Sequence, residues 1–223
     1  MTNLHNALLL KQLYQLKQLG YRYTDLSIPA KKKREVNIES INNLDILRED
    51  RESCSLCELS KTRLRVVSGE GNGDADVMFI STTPNSLQED NNSLFIGKSG
   101  ELLANMIERV LLIPKSDIYL TNLVKCRPSN NTPITPTEAH SCLPYLQREI
   151  ELVKPKIIVT LGIEAYNYLT GENRDIDDVR GKSIRKKSYI ILPTFNINYL
   201  LRNQSAKRYA FEDMKLIKHL MEK

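Results

Sequence analysis

Four short apolar runs constrain this chain most: DVMFIS (76–81), DIYLTN (117–122), KIIVTL (156–161) and SYIILPT (188–194). Such runs suit strands buried on both faces, as in a parallel sheet. Helical segments lie between them. GELLANMIERVLL (100–112) repeats its leucines at the helical period, TPTEAHSCLPYLQREIELV (135–153) opens on Thr-Pro, and GIEAYNYLTG (162–171) ends on glycine. This β/α alternation predicts an α/β fold, a three-layer α/β/α sandwich around a parallel sheet of about four strands. Ligands of such sheets bind beyond the carboxyl ends of the strands, which singles out the loops after Ser81, Thr121, Leu161 and Thr194.

The cysteines are the second constraint. Cys54 and Cys57 form a C-x2-C pair; Cys126 follows 68 intervening residues later, and Cys142 after another 15. A short zinc finger closes two nearby C-x2-C-type pairs, and the second pair is missing here. A metal on these four thiols would staple distant parts of the fold. The spacing leaves zinc and a [4Fe–4S] cluster both open, since a cubane cluster takes one cysteine per iron. Four unrelated buried thiols are the plainer alternative.

At 223 residues and 41% hydrophobic content the chain has material for one ordinary domain with an extension, and global disorder is excluded. The net charge of +5 and pI near 8.9 suit a nucleic-acid partner without requiring one. Leu4, Leu8, Leu9, Leu13, Leu16 and Leu19 form a helical stripe ending at Gly20, either packed on the main domain or offered to a partner. Lys11 breaks that apolar run, so neither a signal peptide nor a membrane span is expected. A cytoplasmic location follows, where metal ligation is favoured over disulfides. The basic run Lys31–Arg34 suits a linker. Residues 1–45 are read as a helical extension with a basic linker and 46–223 as the main domain. No oligomer signal stands out, and a monomer is expected.

Two glycine-rich stretches resemble phosphate loops and fail on context. IGKSG (96–100) lacks the upstream glycine of a Walker loop, where Asn92 stands, and the preceding strand ends some ten residues too early. GEGNG (69–73) precedes a strand instead of following one, so it reads as a turn. Gly97–Gly100 at a helix start retains the ability to hold one DNA phosphate.

STTPN (81–85), LFIGKSGELL (94–103), TNLVKCRP (121–128), TPTEAHSCLPYL (135–146), VTLG (159–162), RGK (180–182) and FNINYLLRNQ (195–204) resemble, in this order, the motifs of the iron–sulfur, family-four type of uracil-DNA glycosylase. The resemblance runs from about Cys54 to the end of the chain. It implies a [4Fe–4S] cluster on Cys54, Cys57, Cys126 and Cys142, and uracil-containing DNA, single- or double-stranded, as partner. Phe95 would then stack on a flipped-out uracil, Asn122 would read its edge, and Pro84 would help shape the base pocket. Backbone contacts would come from Lys98, Ser99, Arg180, Lys182, Arg185, Lys186, Lys187 and Arg202, with RGKSIRKKS forming a loop.

Two positions depart from the family pattern. The histidine of its HP segment, which stabilises the leaving uracil anion, is Asn196 here, and the glutamate of its GEAPG loop is Thr82. Asn196 keeps a neutral donor, whereas losing such a donor typically costs on the order of 10²–10³ in rate. Glu89, or Asp90 beside it, is the candidate for a substitute water-positioning carboxylate. Asn85, at the loop's closing glycine, tolerates a left-handed backbone. None of His5, His140 and His219 falls at a family catalytic position, and His140 is read as structural. The competing readings are a DNA-binding descendant with weak or no catalysis, a glycosylase of altered base choice and, least, a ferredoxin-like redox protein.

Overall fold

The predicted strands form the centre of one six-stranded sheet of order β1-β3-β2-β4-β6-β5. In this computed structural model the described residues are 2–18, 20, 38–186 and 188–222. The basic run Lys31–Arg34 and Lys187 lie outside them. The chain divides into two units, Met1–Val36 and Asn37–Lys223. In the first, α1 spans Thr2–Gln18, and the Gly20 amide bonds back to the Lys17 carbonyl at φ +89°, a glycine stop.

The second unit opens with α2 (Leu44–Glu52), which crosses the boundary expected at residue 45, and α3 (Leu59–Thr62). β1 (Glu70–Gly71), β2 (Val77–Ser81), α4 (Ser86–Asn91) and α5 (Gly97–Met106) follow. A π-helical turn, Ile107–Leu111, prolongs α5. Then come β3 (Tyr119–Asn122), α6 (Pro136–Val153), β4 (Ile157–Leu161), α7 (Ile163–Thr170) and α8 (Ile176–Val179). β5 (Ile184–Lys186), β6 (Tyr189–Thr194), α9 (Ile197–Arg202) and α10 (Lys207–Met221) complete the chain.

β3, β2, β4 and β6 are mutually parallel, with Ser81 opposite Asn122 and Leu161 opposite Thr194. The strand ends are therefore level, and their loops leave from one edge. β1 and β5 add short antiparallel strands at the two sides. Neither was legible: the first lies in what reads as a turn, and the second makes part of the expected RGKSIRKKS loop a strand.

Side-chain alternation divides the core. Val77 and Phe79 join Ile107 and Met214 on one face, while Met78 and Ile80 join Leu146 and Ile150 on the other. All are buried, and each such side chain contributes roughly 1.5–3 kcal/mol. Helices thus cover both faces, the expected three layers. Thr135 and Glu138 form a capping box that fixes where α6 starts. No described helix is long and apolar enough to cross a membrane.

Candidate active site

Two hollows adjoin at the carboxyl edge of the parallel strands. The inner one is bordered by Ser81, Asn122 and Leu161 from three strand ends, together with Leu94, Ser99 and Asn196. The outer, about 640 Å³, is bordered by Thr82, Pro84, Pro128, Glu164 and Arg202. Both share Ser81, Thr83, Asn85, Asn196 and Asn198.

Asn122 ends β3 and is 2% exposed, and its Nδ2 has no protein partner. Its backbone carbonyl accepts from Lys125 Nζ at 2.5 Å. Lys125 is buried and also donates to Thr121 Oγ1 at 2.6 Å and to Glu149 Oε2 at 2.5 Å. Arg51 Nη1 donates to the other Glu149 oxygen at 2.6 Å, with Tyr119 Oη on that same oxygen at 3.2 Å. Burial alone would raise the Glu149 pKa, but the two cations beside it hold it down at about 2. This network, running from α2 through α6 to β3, was not anticipated. The signal was present: a lysine inside NLVKC and a glutamate on the apolar face of α6.

Phe95 is half-buried, with Lys115 Nζ 5.5 Å from its ring centroid. Glu70 Oε2 accepts from the Leu94 amide at 2.7 Å and from Ser93 Oγ at 3.0 Å, so β1 holds the segment that carries Phe95. Gly100 is required here: a Cβ would stand 2.1 Å from the Phe95 carbonyl carbon. Phe95 does not border the inner hollow itself.

Asn196 caps α9: Oδ1 accepts from the Asn198 amide at 2.9 Å, and Nδ2 donates to the Leu161 carbonyl at 3.3 Å. One amide hydrogen remains free for a ligand. Gly162, at φ +105°, makes room, since a Cβ there would meet Asn196 Cβ at 3.2 Å. Thr82 is buried on the outer hollow and brings no carboxylate.

Other expectations require correction. Glu89 does not border either hollow. Its Oε1 accepts from the Leu64 amide at 2.9 Å and its Oε2 pairs with Arg127 at 3.0 Å, so both oxygens are engaged away from the hollows. Asn85 is extended, at φ −94°, not left-handed, because it caps α4 in a reciprocal box with Gln88. Arg180 donates to Asp213 Oδ1 and the Tyr209 carbonyl, both at 3.1 Å, and so faces α10 and not solvent. Lys186 donates to the Thr170 carbonyl at 2.7 Å. Lys98, Lys182, Arg185 and Arg202 are exposed, whereas Ser99 turns into the inner hollow. His140 meets the Pro136 carbonyl at 2.7 Å and the edge of Tyr168, as a structural residue does. Among the residues on the groove that were missed are Asn198, and Glu164 in the first turn of α7.

The four cysteines are free thiols from three segments. Three of them feel a neighbour's charge: Cys54 acts on Cys57 and Cys142, and Cys57 and Cys142 act on Cys126. Burial pushes the Cys126 thiol up to about 11, against the pull of Arg63, whose Nη1 donates to its sulfur at 3.4 Å. In their chemistry alone, four thiols, one of them accepting from a guanidinium, suit an anionic thiolate-bound cluster. No group of three or more His, Cys, Asp or Glu among the described residues stands close enough to hold a metal ion as placed.

The chain is 36% identical over 188 residues to a type-4 uracil-DNA glycosylase of Sulfurisphaera tokodaii, spanning 81% of this chain and 86% of that one. A type-4 enzyme of Thermotoga maritima is 36% identical over 187 residues, 81% and 95% of the respective chains. One of Saccharolobus solfataricus is 34% identical over 189 residues, 81% and 88%. The sequence profile of the Uracil DNA glycosylase superfamily matches residues 68–216, from the turn before β1 into α10, and so takes in both hollows and the strand ends between them. This chain belongs to the uracil-DNA glycosylase superfamily, with the type-4 enzymes.

Proposed function

We propose that this chain is a uracil-DNA glycosylase of base-excision repair, hydrolysing the N-glycosidic bond of a uracil nucleotide swung out of the DNA stack. The observation that carries the reading is the buried, unpartnered Nδ2 of Asn122 at the inner hollow. A buried donor left unsatisfied costs about 1–3 kcal/mol, which a ligand carbonyl relieves. An asparagine amide donates to uracil O4 and accepts from N3–H, a pattern that cytosine reverses. Phe95 would stack on the extruded base, and Thr82 and Pro84 would border its entry. Lys98, Lys182, Arg185 and Arg202 would meet phosphates, with Arg180 acting from behind.

Cleavage builds negative charge on uracil O2, and the free amide hydrogen of Asn196 is the donor available to it. With Thr82 in place of a glutamate, Glu164 is the groove carboxylate available to hold the attacking water. Cys54, Cys57, Cys126 and Cys142 would hold a [4Fe–4S] cluster, whose contribution is structural, joining the segment after α2 to β3 and α6. Cys126→Ser should then lower the melting temperature steeply; a variant that stays folded and loses only turnover contradicts that role.

The test is uracil release from labelled single- and double-stranded oligonucleotides by anaerobically purified protein. Release abolished by Phe95→Ala supports the reading. The substitutions at Thr82 and Asn196 favour a second one, a DNA-binding relative without turnover. Tight binding with no release, and release gained on Asn196→His with Thr82→Glu, would establish that alternative.

A further inference from the structure

Tyr199 has no part in this scheme and borders neither hollow, yet α9 carries it between residues that do. It follows Asn198, which borders both hollows, and precedes by three residues Arg202, which borders the outer one. Tyr199 is 42% exposed. One face of the ring is covered: it stacks on Phe195 with centroids 5.1 Å apart and planes 25° apart. Phe195 is buried, and the Arg180 guanidinium lies 5.5 Å from its centroid. Arg180 also lies 4.8 Å from the Tyr209 ring, and Arg208 4.5 Å from the same ring. The bonds from Arg180 to Asp213 and to the Tyr209 carbonyl lock the middle of this aromatic–cation series. Tyr199 is thereby supported from behind, and little rotamer entropy is lost when a ring settles on its open face.

We propose that the open face of Tyr199 is a stacking platform for an unpaired base next to the extruded uracil, so that this protein favours single-stranded DNA. The inference rests on the glycosylase reading and adds the strand context that it leaves open. A ring inserted between base pairs needs both faces free, and Phe195 occupies one of these. A base in a single strand has a face to offer, whereas in duplex both its faces lie against neighbours. Exposed Arg202, three residues further along α9, and the net charge of +5 suit the strand's phosphates.

The experiment measures Kd by fluorescence anisotropy for a labelled single strand carrying one uracil. Companion strands replace the base 5′ or 3′ of the uracil with an abasic spacer. One of these spacers should weaken wild-type binding about tenfold, the usual scale of one base–aromatic stack. Tyr199→Ala should weaken binding to the intact strand by the same factor and lose its sensitivity to the spacer. Tyr199→Phe should behave as wild type, and on duplex Tyr199→Ala should change Kd less than about twofold. Spacer sensitivity that survives Tyr199→Ala, or equal weakening on single strand and duplex, overturns the proposal. Uracil release measured on the same samples separates the failures. Normal binding by Tyr199→Ala beside wild-type turnover removes the platform alone, whereas absent wild-type turnover removes the glycosylase reading and leaves the stacking measurable.

Discussion

Two asparagines border the same inner hollow, both at the carboxyl edge of the sheet, and they are held in opposite ways. Asn122 ends β3 with its amide nitrogen buried and unpartnered, while its backbone carbonyl is gripped by Lys125. Asn196 sits between β6 and α9 with its oxygen committed to a helix cap and its nitrogen to the Leu161 carbonyl. The backbone of the first is fixed and its side chain left for a ligand. The side chain of the second maintains the local fold and has one hydrogen to spare. On the proposed reading, recognition would rest on a site held from behind, and leaving-group stabilisation on a residue with a structural duty as well.

The support behind Asn122 can be broken directly. Glu149→Gln leaves Arg51 and Lys125 buried without their shared counter-charge, and should cost about 3–5 kcal/mol in urea unfolding. The sign of the pH effect follows from the depressed pKa. Folded Glu149 ionises near 2 against an ordinary 4.5, so its contribution is present above pH 4.5 and lost as pH falls toward 2. That loss is about 3 kcal/mol in wild type and should vanish from the acid limb of the variant. An unchanged acid limb would mean that the network does not hold the folded state.

A smaller loss should follow at the reading amide itself. Asn122→Ala removes both its hydrogen bonds to the base, and kcat/KM for uracil release should fall about 30–150-fold, roughly 2–3 kcal/mol. Stability should change little or rise, because the orphaned nitrogen goes with the side chain. A stability loss as large as that of Glu149→Gln would erase the contrast between scaffold and reader.

Legibility in the sequence follows the same division. Continuous apolar runs announced the four parallel strands because burial on both faces leaves a compositional mark. β1 and β5 left none, being edge strands of two and three residues. Asn122, Phe95 and the cysteines could be singled out because they stand in spaced motifs. The ion network could not, since Arg51 and Glu149 are 98 residues apart and meet only through α2 packing on α6. Glu89 and Arg180 were misjudged for a related reason: a charged residue near a motif looks free until its partner is placed beside it, as Arg127 and Asp213 are here.

Asn196 offers the mildest and most informative substitution. Asn196→Ala removes the cap from α9, which costs about 1 kcal/mol of stability, and it removes the spare donor. Asn196→His gives up a preferred capping residue but places at O2 a ring able to carry positive charge, a better partner for a developing anion. The two variants should therefore share a modest fall in melting temperature and separate in turnover. Asn196→Ala should lower kcat about tenfold, and Asn196→His should raise it by about 10–10² above wild type. If kcat falls equally in both, capping geometry and not the donor is what the site needs from residue 196.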